Sequence, residues 1–108
     1  MVGLTSIEGF EWDTGNARKN EKHGVSQQEA EQVFLNQPLL LLEDTKHSGG
    51  EPRIHALGTT NNGRLLHISF TLRASAPGFS GTLIRVISAR PMHRKERAVY
   101  GQASEASS

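Results

Sequence analysis

The stretch LIRVISARPMHRKERAVY, Leu83 to Tyr100, changes period half-way along. From Leu83 to Ala89 the residues alternate and are rich in β-branched side chains, which reads as a strand. From Pro91 to Tyr100 helix formers dominate, with Pro91 at an expected first helical position. Arg85, Arg90, Arg94, Lys95 and Arg97 all fall within this one strand-and-helix unit. Cations gathered where a strand meets a helix suit a polyanion, and RNA above all. The bland alternative is a solvated helix face.

Working outward, Arg64 to Leu72 is the cleanest strand, with Leu66, Ile68, Phe70 and Leu72 on one face and His67, Ser69 and Thr71 on the other. Ala74 to Gly81 reads as a loop joining it to the strand at Leu83. Before it, Thr60-Asn61-Asn62-Gly63 has the residues of a hairpin turn, preceded by a strand from Arg53 to Leu57 that Gly58 closes. Leu39 to Leu42 reads as a buried strand. Upstream lies the strongest local signal, a capping box: Ser26 and Glu29 are spaced to satisfy each other's backbone amides, with Val25 and Ala30 at the staple positions. That helix ends at Asn36 and Pro38. A first helix over Thr14–His23 and an initial strand over Ile7–Trp12 complete the order. Helices then strands argue an α+β domain, its helices on one face of a mostly antiparallel sheet. Residues 1–101 are expected to form a single domain and 102–108 a disordered tail.

The 108 residues suffice for one domain. Hydrophobic content is 35 % and charged content 21 %, a polar domain with a small core. Net charge is +1, so any polyanion site must come from local clustering rather than from the whole molecule. There is no cysteine, which excludes disulfides and thiolate metal sites and makes the cytoplasm the expected compartment. No signal peptide or membrane span is legible. The five histidines show no paired ligand spacing, so no metal and no cofactor is expected.

If the last three strands form a meander with their aliphatic faces toward the helices, parity gathers Arg53, His55, His67, Ser69 and Arg85 on the opposite face. The closing helix adds Arg94, Arg97 and Tyr100. Guanidiniums bind phosphate in forked geometry and stabilise added charge in a phosphorane-like transition state, while a histidine or tyrosine moves protons. Such a face can cleave RNA without a metal, through attack of the 2′-hydroxyl on its own phosphate. The bland readings are that Arg53 pairs with a nearby acid, that each histidine is only a surface residue, and that Tyr100 is a packing anchor. Two other functions stay open: a binding module that docks an acidic partner without catalysis, and a structural domain with solubilising arginines.

An ordered set of short motifs then bears on the question: FEWD at Phe10–Asp13, N-x-KHGVS at Asn20–Ser26, Glu29-Ala30, Val33-Phe34, GE-x-R at Gly50–Arg53, GRLL at Gly63–Leu66, IR-x-ISAR at Ile84–Arg90 and R-x-ER-x-x-Y at Arg94–Tyr100. Together they resemble the BrnT family of toxins from type II toxin–antitoxin pairs. The resemblance implies a RelE-like fold, with an antiparallel sheet, two N-terminal helices on one face and a short C-terminal helix. It implies a ribonuclease that blocks translation and a BrnA-type antitoxin that neutralises it, operator DNA being reached only through that antitoxin. Carried over by position, Arg53, Arg85, Arg90, Arg94 and Tyr100 are expected to matter for function, with Lys22 and His23 second. With the parity reading of the strands added, the expected catalytic residues are Arg53, Arg85, Arg90, Tyr100 and His55. Lys22, His23, Arg64, Arg94, Lys95 and Arg97 are expected to bind RNA. The antitoxin is expected to cover Arg53, Arg85 and the closing helix, with Leu57, Ile87 and Met92 as apolar landing points. The alternative within this family is a degenerate, non-catalytic toxin.

Overall fold

The computed structural model describes residues 7–13, 15, 23–44, 53–74 and 81–107. Seven elements follow in order: β1 (Ile7–Glu11), α1 (Gln27–Leu35), β2 (Leu40–Asp44), β3 (Arg53–Thr59), β4 (Leu65–Ala74), β5 (Thr82–Pro91) and α2 (Arg94–Ser107). The helix expected over Thr14–His23 and the loop expected over Ala74–Gly81 fall largely outside the described residues.

The strands form one five-stranded sheet in the order β1-β5-β4-β3-β2. Neighbours are antiparallel except for β1, which pairs with β5 in parallel, so the sheet is mixed. The expectation of an antiparallel sheet is corrected there. β1 and β5 are far apart in sequence, and no hairpin constrains their relative direction.

α1 begins as its sequence requires. The Ser26 side chain accepts from the Glu29 amide at 3.1 Å, and the Glu29 carboxylate accepts from the Ser26 amide at 3.2 Å. The two staple residues, Val25 and Ala30, are both buried in the main core. That core lies between α1 and one face of the sheet, with Val33, Ile54, Ala56, Leu66, Ile68, Phe70, Ile84, Val86 and Ala89. Phe34 links it outward, edge-on to Phe70 at 5.0 Å and tilted on Phe10 at 5.6 Å. Trp12 donates its indole N–H to Glu31 at 2.8 Å, tying the end of β1 to α1.

Several boundaries differ from expectation, each for a packing reason. β3 runs through Gly58 instead of stopping there, pairing on with Leu66 and Leu65, and a Cβ at position 58 would come within 2.7 Å of the Val33 side chain. The glycine permits close approach of helix and strand. In the hairpin turn only Gly63 takes a positive φ, 83°, while Asn62 does not. β2 is an edge strand and is only partly buried, with Leu42 45 % exposed. Pro91 closes β5 opposite Leu66 instead of opening a helix. A strand's last position needs no further ladder donor, and proline is tolerated there. α2 begins at Arg94 and runs 14 residues, beyond Tyr100.

α2 packs on the opposite face of the sheet from α1. Beneath it Leu57, Met92 and Tyr100 are buried together, with Leu40 and Leu65 packed against them. Leu57 and Met92, expected as exposed landing points for a partner, are therefore core residues of this second cluster, while Ile87 is half-buried.

Candidate nucleic-acid interface and catalytic face

α2 covers one end of its face of the sheet. Across the remainder the strand registers set out three rows. Leu57, His67 and Arg90 form the row nearest α2, and His55, Ser69 and Ser88 the next. In the third, Thr71 stands opposite Arg85, which stands opposite Glu11. Arg53, two residues before His55, lies on this same face by strand alternation.

Arg90 belongs to this face only because of an irregularity in β5. The register shifts between Ser69 and Phe70, where Ser69 faces Ser88 and Phe70 faces Val86, leaving Ile87 unpaired. Strict alternation from Ile84 and Val86 would turn Ser88 and Arg90 toward the core. With the extra residue, Ala89 is buried there instead, fully enclosed, and Arg90 joins His67. Bulges re-aim side chains in this way.

The centre of the face is a pair of imidazoles. The rings of His55 and His67 stack with centroids 5.0 Å apart and planes 12° from parallel. Nδ1 of His55 lies 3.0 Å from Nε2 of His67 and 3.0 Å from Oγ of Ser69. Nδ1 of His67 is buried without a hydrogen-bond partner among the described residues. Charging that ring would place an unpaired N–H there, which costs about 1–3 kcal/mol. Burial accordingly lowers the His67 pKa to about 4, with Glu96 opposing and Arg90, His55 and His93 assisting. His67 is a neutral ring at physiological pH.

The arginines on β5 are both held by carboxylates. Arg85 donates to Glu11 at 2.9 Å and to Asp13 at 2.7 Å. The hydrogen bond to Asp13 leads in raising its pKa. Arg90 donates both its terminal nitrogens to Glu96, at 2.8 and 2.9 Å. Glu96 also accepts the His93 amide at 2.8 Å, a back-bond that closes the start of α2. Burial raises the Glu96 pKa, but the Arg90 and His93 bonds outweigh it and hold the carboxyl at about 2.

Of the residues expected from the sequence, Arg53, His55, Arg85 and Arg90 share this face. Arg53 is half-buried and makes no ion pair among the described residues. Arg94, Lys95 and Arg97 are exposed on α2, the Arg97 guanidinium 3.4 Å from the Met92 carbonyl. Three residues stand elsewhere or are otherwise engaged. Tyr100 is buried and donates its hydroxyl to the Pro38 carbonyl at 2.7 Å, which anchors α2; burial raises its pKa. Arg64 bridges the β3–β4 turn to α1, donating to Glu29 at 2.7 Å and the Gly24 carbonyl at 3.0 Å. Its hydrogen bond is the main cause of a lowered Glu29 pKa. His23 is exposed in the turn before α1. Lys22 lies outside the described residues.

Glu96, Glu11 and Asp13 are absent from the residues expected. For Glu96 a signal existed, three residues after His93 at the capping-box spacing; for Glu11 and Asp13 it did not, since their partner is over 70 residues away. Among the described residues no group of three or more potential metal ligands converges, and no helix is long and apolar enough to cross a membrane. A groove of about 300 Å³ opens elsewhere, between β1 and α1, lined by Ile7, Phe10, Phe34, Leu35 and Ile84.

A family model described as the ribonuclease toxin BrnT of type II toxin–antitoxin systems matches residues 12–96, most of the chain. The chain belongs to the BrnT family. The match runs from Trp12, between the two acids that hold Arg85, to Glu96, which holds Arg90. Membership makes the chain a toxin of the type II class, which implies an antitoxin partner. No curated protein matches it.

Proposed function

We propose that this chain is an active endoribonuclease working without a metal on the imidazole-bearing face, and that a BrnA-type antitoxin silences it by covering that face. The observation that carries the reading is the stacked His55–His67 pair, set among Arg53, Arg85 and Arg90 on the side of the sheet away from the main core. In the reaction, His55 accepts the proton of an RNA 2′-hydroxyl. The freed oxygen bonds to the adjacent phosphorus, the bond to the 5′-oxygen breaks, and water protonates that leaving oxygen. The products are a 2′,3′-cyclic phosphate and a 5′-hydroxyl end. Arg53 neutralises charge on the phosphoryl oxygens as it builds. His67, neutral and buried, holds the His55 ring in place. Arg94, Lys95 and Arg97 draw the RNA strand along α2. Tyr100 keeps α2 seated and needs no part in the chemistry.

The test is RNA integrity and translation in a cell-free system with chelator present, comparing the native chain with His55→Ala and Arg53→Ala after circular dichroism has verified their folds. Cleavage by the native chain with loss of at least 10²-fold in both variants is expected. Intact RNA beside an active control nuclease overturns the catalytic reading.

One observation favours the alternative of a non-catalytic module: the two β5 arginines are already neutralised by the chain's own carboxylates. In that case the face holds RNA or the antitoxin but does not cut. A structure of the complex with Arg53, Arg85 and α2 left open would defeat the masking idea in either case.

A further inference from the structure

We propose that Glu96 is a positioning residue of this face, fixing the Arg90 guanidinium beside the His55–His67 pair and setting the charge that His67 experiences. The assignment rests on the ribonuclease reading for its effect on rate, and on the Arg90–Glu96–His93 geometry for the placement of the guanidinium.

Arg90 and His67 are direct cross-strand partners, so an arginine side chain must either lie over the imidazole or swing into solvent. A free arginine has several rotatable bonds and would sample both. Glu96 removes that freedom. Its two oxygens take both terminal nitrogens of Arg90, the forked arrangement that fixes the guanidinium plane as well as its distance. The carboxylate is itself held by the His93 amide at the start of α2. The fork is therefore anchored to backbone, and α2 is anchored in turn by Met92 and Tyr100 in the second cluster. The chain runs from a buried helix seat, through one carboxylate, to the arginine next to the imidazoles.

The charges around His67 give Glu96 its second effect. His55 acts on it from β3, Arg90 from β5, His93 from just before α2 and Glu96 from the first turn of α2. Only Glu96 is negative. Without it the ring sits among one fixed cation and two imidazoles, and its protonated form becomes harder still to reach. The sequence places the acid where both effects are available: three residues into α2 is where a side chain folds back to the helix start, and six residues after Arg90 is across the turn from β5.

The variants that test this are Glu96→Gln, which keeps the shape and removes the charge, and Glu96→Asp, which keeps the charge and shortens the reach. The primary readout is NMR titration of the histidine rings in the native chain and both variants. Glu96→Gln is expected to titrate His67 at lower pH than the native chain, and Glu96→Asp to shift it less. In the cleavage assay Glu96→Gln is expected to lose 10-fold or more in kcat with KM nearly unchanged. Ring titrations that superimpose in all three proteins overturn the inference, as does an activity loss fully accounted for by the unfolded fraction. Should the native chain cut no RNA, the ring titrations still decide the role of Glu96 while the ribonuclease reading fails alone.

Discussion

The two faces of the sheet differ in chemistry more than in burial. Toward α1, Ile68, Phe70, Val86 and Ala89 have no exposed surface and pack in one apolar and aromatic cluster. On the other face of the same central strand, Thr71, Ser69 and His67 are 1 %, 7 % and 9 % exposed, hardly more than the core. They are polar, and their partners are other polar groups: an imidazole against an imidazole, a hydroxyl against a ring nitrogen. A buried apolar residue is stabilised by what it excludes, whereas a buried polar one needs a specific partner. The first face is therefore a scaffold that tolerates any close-packed filling. The second depends on individual contacts, which is the property a reactive surface requires.

The largest expected effect breaks the first face. Phe70 sits at its centre, edge-on to Phe34 and opposite Ile54. Phe70→Ala should cost about 3–5 kcal/mol, from lost transfer energy and the cavity left behind. For a polar domain of this size that is a large share of total stability. Urea denaturation checks it; a loss under about 1 kcal/mol would mean that the face is not close-packed at Phe70.

Much of the first face was legible in the sequence, and less of the second. Alternation in β4 and β5 and the Ser26–Glu29 box are local signals, and the structure contains them. The same alternation placed His55, His67, Ser69 and Arg85 on one face. What local pattern does not encode is pairing across the chain. Arg85 is bound to Glu11, 74 residues away, so an arginine that looks available for phosphate already has a carboxylate partner. Gly58 reads as a strand terminator until Val33 is seen to pack against it. The unpaired Ile87 is the deepest of these cases. Residues 83–89 alternate as a plain strand should, and only the register against β4 shows the extra residue that turns Arg90 toward His67. Tyr100 reads from the sequence as a packing anchor more readily than as a proton donor, and its hydroxyl donates to the Pro38 carbonyl.

An intermediate effect belongs to the second face, and it is a pH dependence. His67 titrates at about 4 when folded against its ordinary 6.5. As pH falls, the unfolded chain takes up the proton first, so stability that is fully present above 6.5 is lost as pH falls through about 4. Glu96 repeats the sign lower down: ordinarily 4.5 and held at about 2, it loses its contribution across that interval. Unfolding free energy measured between pH 7 and pH 4 should decline in the native chain and be visibly flatter in His67→Gln. Parallel curves would show that the imidazole pair is not buried in solution as it is here.

The smallest effect tests whether the two faces are independent. Ser26 caps α1, on the scaffold side, and Ser26→Ala removes the oxygen that accepts the Glu29 amide. Such a loss costs about 1 kcal/mol. Glu29 keeps its ion pair with Arg64, so the β3–β4 turn should stay tied to α1 and the helix should fray only at its first turn. None of these residues shares a contact with His55, His67 or Arg90 among the hydrogen bonds and core clusters described, and effects at sites without shared partners add. Melting should therefore shift by a few degrees, while RNA cleavage per folded molecule stays at the native level. A fall in cleavage beyond the unfolded fraction would reveal that capping α1 is felt through the sheet, and the division into a scaffold face and a working face would have to be abandoned.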